Sequence, residues 1–170
     1  EPMKSARACV LLFVGASLFQ GCGPNYAKCP DPVDGTYEAP NGAGALVVQD
    51  GVRILKLHGN SGYETGYAYG YLLAAEIVYI VDNLIMPVVH ERGYESLRDS
   101  MALVDWDNAY GEDLEGMLAG IQARLGPRQQ IIHPYPWRRG RTLDLVDLQL
   151  ANSMSDWLCS SFSVWGQGRA

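Results

Sequence analysis

The spacing of apolar and polar positions changes several times along the chain, and each change marks a predicted element. Residues 8–19 form an uncharged, mostly apolar run behind Met3-Lys4-Ser5-Ala6-Arg7, which carries two positive charges. That order is a secretory signal, and a run of about twelve is too short for a spanning helix, which needs about 20 apolar residues. Residues 22–43 are dense in Gly, Pro, Asn and Asp, a composition that favours turns and reads as a flexible tether. The β-rich runs 45–49 and 52–58 flank Asp50-Gly51, a pair suited to the positive backbone angles of a tight hairpin.

Helical spacing follows. Ser61-Gly62-Tyr63-Glu64 has the form of a capping box, in which the serine oxygen accepts from the Glu64 N–H while the carboxylate reaches back. The helix it opens is predicted over 63–85, closing before Pro87. Gly66 and Gly70 stand four apart on one face of it. Each costs roughly 1 kcal/mol against alanine inside a helix, so the pair predicts the close approach of another backbone. Further helices are predicted over 94–104 and over 112–125, the second with Leu114, Met117, Leu118 and Ile121 as its apolar stripe and Gly126-Pro127 as its stop. A loop runs from there to Arg141, with Arg138-Arg139-Gly140-Arg141 as a solvated basic surface. The last helix is predicted over 143–157, capped by Thr142 with Asp144 near its positive end. It leads into Cys159-Ser160-Ser161-Phe162-Ser163-Val164-Trp165-Gly166, whose alternation reads as a strand.

At 170 residues, 48 % hydrophobic and 19 % charged, the chain has the composition of one ordinary globular domain. A net charge of −6 provides no broad positive field for phosphates, which argues against a nucleic-acid partner. The histidines, His58, His90 and His133, lie far apart with no cysteine or histidine at metal-ligand spacing, so neither a metal nor a cofactor is expected. Of the four cysteines, Cys9 falls in the signal. Leu18-Phe19-Gln20-Gly21-Cys22 resembles a bacterial lipobox, with Phe19 and Gln20 in place of its usual aliphatic and small residues. Two outcomes stay open: lipidation of Cys22 and anchoring in the cell envelope, or ordinary signal cleavage that leaves a soluble periplasmic or secreted protein. Without lipidation, Cys22 and Cys29 are the natural candidates for a bridge in an exported compartment. Cys159, at a helix–strand junction, reads either as a small buried hydrophobe or as a nucleophile.

Three segments carry a resemblance to a known family. The first is Leu57-His58-Gly59-Asn60-Ser61-Gly62-Tyr63-Glu64-Thr65-Gly66-Tyr67-Ala68-Tyr69-Gly70-Tyr71-Leu72-Leu73. The second is Asp113-Leu114-Glu115-Gly116-Met117-Leu118-Ala119-Gly120, and the third runs from Asn152-Ser153-Met154-Ser155-Asp156-Trp157-Leu158-Cys159 to Gly166. In this order they resemble the autoproteolytic acyltransferase/hydrolase family that includes acyl-coenzyme A:6-aminopenicillanic acid (isopenicillin N) acyltransferase, peptidase family C45. The resemblance implies an α+β fold, the N-terminal part of the αββα sandwich of N-terminal-nucleophile (Ntn) hydrolases: a β-hairpin, several helices, then the first nucleophile-bearing strand. It divides the chain into a signal (1–21), a tether (22–43), a mainly helical, propeptide-like α-segment (44–158) and the start of a β-segment (159–170).

The activity implied is self-cleavage at Leu158–Cys159, after which Cys159 acts on amide, ester or thioester bonds. Leu158 stands where many relatives have glycine. Asn152 and Asp156, one helical turn apart, are either structural caps or residues that orient the site. The partners implied are a small acyl or amide substrate, a membrane through the lipid anchor, and a β-segment beyond Ala170 that would supply the remaining catalytic groups. The competing class is a non-catalytic exported lipoprotein that acts as a binding or scaffolding module at the membrane surface.

Overall fold

The computed structural model describes residues 33–90, 93–134 and 140–158, which form an α+β structure. The signal, the lipobox with Cys22, and the strand predicted from Cys159 onward lie outside the described residues. Three antiparallel strands come first: β1 (Gly35–Glu38), β2 (Gly44–Gln49) and β3 (Val52–Leu57), with β2 in the centre. The predicted hairpin joins β2 to β3. Asp50 (φ 52°) and Gly51 (φ 76°) both take left-handed angles, and the turn matches the right-handed twist of its strands.

The tether reading of 22–43 is corrected over residues 35–43. Gly35 pairs with Val48 and Glu38 with Ala45, so residues 35–38 are an edge strand. Ala39 and Ala43 are buried against Ala68. The turn between β1 and β2 is tied down by Asn41, whose Oδ1 accepts from the Ala43 N–H (3.1 Å) and whose Nδ2 donates to the Glu64 carbonyl (2.9 Å). Strand pairing uses backbone groups, so a Gly- and Asn-rich composition does not prevent it once a neighbouring strand supplies the partners.

Helix α1 (Gly62–Leu72) begins at the predicted cap, with the Glu64 N–H donating to Ser61 Oγ (3.2 Å). The Glu64 carboxylate reaches one residue further back than the standard box, to the N–H of Asn60 (2.8 Å). The single helix expected over 63–85 is instead broken. At Leu73 the chain leaves helical angles (φ −115°, ψ 24°), and the following α2 (Ala74–Ile80) turns by 83°. This bend carries Ile77, Val78 and Val81 into the main core, where a straight continuation would project them away from it.

Pro87 does not stop the helix either. A π turn over Val81–Ile85 sends the Met86 N–H to the carbonyl of Val81, and α3 (Met86–His90) follows with proline as its second residue. The wider turn accommodates the ring and the missing donor. Among the described residues no single helix is long and apolar enough to cross a membrane.

After α4 (Tyr94–Ala102), helix α5 (Asn108–Arg124) starts four residues earlier than its apolar stripe suggests, because Asp107 caps it by accepting from the Ala109 N–H (2.9 Å). Gln130, at the end of a 3-10 turn (Pro127–Gln130), closes the other end by donating from Nε2 to the Leu125 carbonyl (2.7 Å). The loop expected to Arg141 also contains a small ladder, β4 (Ile131–Ile132) against β5 (Arg141–Thr142). The last helix is α6 (Leu145–Leu158).

The closest packing in the fold is between α1 and α5, and it is built on glycines. A Cβ on Gly66 would collide with the Asp113 carbonyl oxygen and lie 2.8 Å from its carbon; one on Gly70 would collide with the Met117 oxygen and lie 2.7 Å from that carbon. The relation is reciprocal. A Cβ on Gly116 would meet the Tyr63 carbonyl, and one on Gly120 the Tyr67 carbonyl. Two backbones thus interlock through paired glycines four apart, the close approach that Gly66 and Gly70 predicted.

Candidate functional site

Helix α6 is the element that runs toward the predicted nucleophile, and its N-terminus is held by a partly buried ionic cluster. Its cap is Asp144 and not the expected Thr142. The Asp147 N–H donates to Asp144 Oδ1 (3.1 Å) and the Asp144 N–H to Asp147 Oδ2 (3.0 Å), so two aspartates cap one another three residues apart. Asp147 is fully buried, and its carboxylate also accepts from Tyr94 Oη (2.5 Å), Arg98 Nη1 (2.8 Å) and Arg141 Nη2 (2.5 Å). Asp144 takes both forks of Arg98, at 2.9 and 2.8 Å.

Arg141 therefore leaves the solvated basic surface assigned to it. It neutralises a buried carboxylate, which no local pattern could reveal because its partners come from α4 as well as α6. Arg138 and Arg139 lie outside the described residues.

The electrostatics follow the geometry. Burial opposes ionisation of Asp144, but the Arg98 hydrogen bond, the Asp147 N–H and the charges of Arg141 and Arg98 together hold its carboxyl below the usual range. The Tyr94 hydroxyl is pushed up to about 12, first by burial and then by its bond to Asp147. Arg98 is raised chiefly by its bond to Asp144. Two arginines balance two aspartates, and the Asp147 carboxylate meets four donors. Such a cluster anchors a helix and offers nothing to a substrate.

Further along α6 stand the other predicted residues. Asn152 is exposed, and its Nδ2 donates to the Leu148 carbonyl (2.8 Å), a bond within its own helix. Ser153 is buried, donating to the Leu150 carbonyl (2.9 Å) and touching Met101 Sδ (3.3 Å), which pins α6 to α4. The backbone of Asp156 lies one turn beyond Asn152, and Leu158 is the last residue of the helix. Cys159 lies outside the described residues, so α6 is seen up to the residue before the expected scissile bond.

A second cluster was not legible in the sequence. Asp82, on the π turn and 10 % exposed, faces His133, whose side chain is 40 % exposed. Asp82 Oδ1 accepts from the His133 backbone N–H (2.6 Å), and Oδ2 lies 3.1 Å from Nδ1. Their separation of 51 positions, and a π turn that leaves no mark on hydrophobic periodicity, hide this pair from any sequence pattern.

Asp113 is the remaining perturbed carboxyl, raised by burial and then by neighbouring Glu112; its Oδ1 would lie 2.9 Å from a Cβ on Gly62. Among the described residues no three His, Cys, Asp or Glu side chains converge as a metal site. Comparison with protein-family models, with curated proteins and with solved structures gives no match to this chain.

Proposed function

We propose that this chain is the α-segment and nucleophile-bearing start of an exported, autoproteolytic cysteine acyltransferase/amidohydrolase of the Ntn type, probed at Leu158–Cys159. One observation carries the reading. The first two segments that resemble the isopenicillin N acyltransferase family are about 50 residues apart in sequence, and their motif glycines interlock: Gly66 and Gly70 on one helix, Gly116 and Gly120 on the other. A single tertiary contact thus accounts for both glycine patterns, as expected of segments that belong to one inherited unit. The third segment begins on α6, whose N-terminus is anchored and whose middle is pinned to α4.

In this reading the Cys159 thiol attacks the Leu158 carbonyl, the acyl group moves from nitrogen to sulfur, and water releases it. The freed α-amino group, with an ordinary pKa of about 7.7–8.0, then serves as general base for its own thiol. The mature thiol accepts an acyl group from an amide, ester or thioester and passes it to water or an amine. Stabilisation of both tetrahedral intermediates requires an oxyanion hole, supplied in this reading by the β-segment. A membrane anchor at Cys22 would place that chemistry at the envelope surface.

The test is to express the reading frame that contains this chain, incubate the product and weigh it. A fragment beginning at Cys159, absent from Cys159→Ala, is the expected result. A chain that stays intact in both overturns the enzyme reading and leaves the non-catalytic lipoprotein.

A further inference from the structure

We infer that Asp82 and His133 form a proton-transfer site, independent of Cys159, that hydrolyses activated esters. Both oxygens of Asp82 contact the same histidine. Oδ1 accepts the His133 backbone N–H at 2.6 Å, which fixes the residue, while Oδ2 at 3.1 Å fixes the ring through Nδ1. A carboxylate at Nδ1 places the proton on that nitrogen and leaves the lone pair on Nε2. The side chain is 40 % exposed, and its hydrogen bonds among the described residues run through Nδ1 and the backbone, which leaves Nε2 as the nitrogen to meet a reagent.

Gly140 stands beside the Nε2 edge and limits its crowding. A Cβ on Gly140, across the β4–β5 ladder, would stand 3.1 Å from Nε2 and 3.4 Å from Cδ2, and it would collide with Ile131. Any residue other than glycine there would crowd the one nitrogen that can accept a proton. Asp82 itself sits on the π turn, held between α2 and α3 and packed by α6, so the carboxylate is positioned by rigid elements on either side.

The step follows from these roles. Nε2 takes a proton from a water molecule as the water oxygen bonds to the ester carbonyl carbon. The Asp82 carboxylate stabilises the imidazolium through Nδ1–H. The tetrahedral adduct then breaks its bond to the leaving oxygen, which recovers the proton from Nε2, so ester and water become acid and alcohol. A ring that is 40 % exposed is within reach of small neutral esters with good leaving groups.

The test uses the full chain carrying Cys159→Ala, so that the Cys159 thiol does not contribute and the Cys159 reading stands or falls separately; Cys9, Cys22 and Cys29 are common to every variant compared. Hydrolysis of p-nitrophenyl acetate is expected to fall about tenfold or more in His133→Gln and in Asp82→Asn, and to stay unchanged in His58→Gln, a histidine that is also exposed to reagent. In parallel, carbethoxylation of the unsubstituted chain above the ordinary imidazole titration range should modify His133 faster than His58. That second measurement decides the question if either variant fails to fold. Rates in His133→Gln that match His58→Gln, or a His133 no more reactive than His58, overturn the proposal.

Discussion

Replacing Gly70 by alanine tests the α1–α5 interlock, and the same substitution at Gly111 provides a control on the same pair of helices. On helix propensity alone both changes stabilise, by roughly 1 kcal/mol each. The surroundings then separate them. At Gly111 an added methyl carbon would find nothing within 4 Å, so the propensity gain survives. At Gly70 the methyl carbon would lie 2.7 Å from the Met117 carbonyl carbon and 2.8 Å from its Cα, where carbon atoms settle at about 3.5–4.0 Å. The obstacle is backbone, so no rotamer change relieves it, and the helices must part by about 1 Å. Overpacking of this kind costs typically 1–3 kcal/mol, and parting also loosens the contacts at Gly66, Gly116 and Gly120. The clash therefore belongs at or above the top of that range, and the net effect after the propensity gain is a loss of about 2 kcal/mol or more. Urea denaturation followed by circular dichroism reads this as a lower midpoint for Gly70→Ala and an equal or higher one for Gly111→Ala, with similar slopes. A Gly70→Ala protein as stable as Gly111→Ala would refute the interlock and with it the observation that supports the proposed function.

Two further outcomes follow from the anchor of α6. Asp147→Ala leaves Arg98 and Arg141 with one carboxylate between them in a partly buried site, and should cost about 3–5 kcal/mol; Arg53→Ala, which breaks an ion pair whose partners are both 37 % exposed, should cost at most about 1 kcal/mol by the same assay. Tyr94 titrates near 12 when folded and near 10 when unfolded, so its contribution is complete below pH 10 and is lost as pH rises toward 12. A stability profile across that window should fall less steeply in Tyr94→Phe than in the unsubstituted chain, and equal slopes would remove the buried hydroxyl from the account.

Local signals carried much of the fold. The Asp50-Gly51 turn, the Ser61 cap and the start of the helix at Tyr94 each depend on backbone angles or hydrogen bonds within a few residues, and they appear where the sequence places them; the helix around Leu114 also forms, with an earlier start at Asn108. Elements depart from the expected pattern where the deciding partner is remote. Residues 35–38 became a strand because β2 offered a ladder, and α1 broke at Leu73 because the core lies to one side. The α6 cap moved from Thr142 to Asp144 because a second aspartate and two arginines complete the box.

The candidate sites divide along the same line. Asn152, Asp156, Leu158 and Cys159 could be named from a linear motif, since the proposed scissile bond and nucleophile are neighbours in the chain. The Asp82–His133 pair could not, since both its π turn and its 51-residue separation are products of packing. By itself the sequence determined the hairpin, the Ser61-capped start of α1 and the spacing of Gly66 and Gly70, because short-range sterics and hydrogen bonds suffice for these. Only the tertiary structure decided which backbone those glycines admit, where Arg141 places its charge and which carboxylate orients His133, because each depends on a partner that the fold, and not the neighbouring residues, brings into contact.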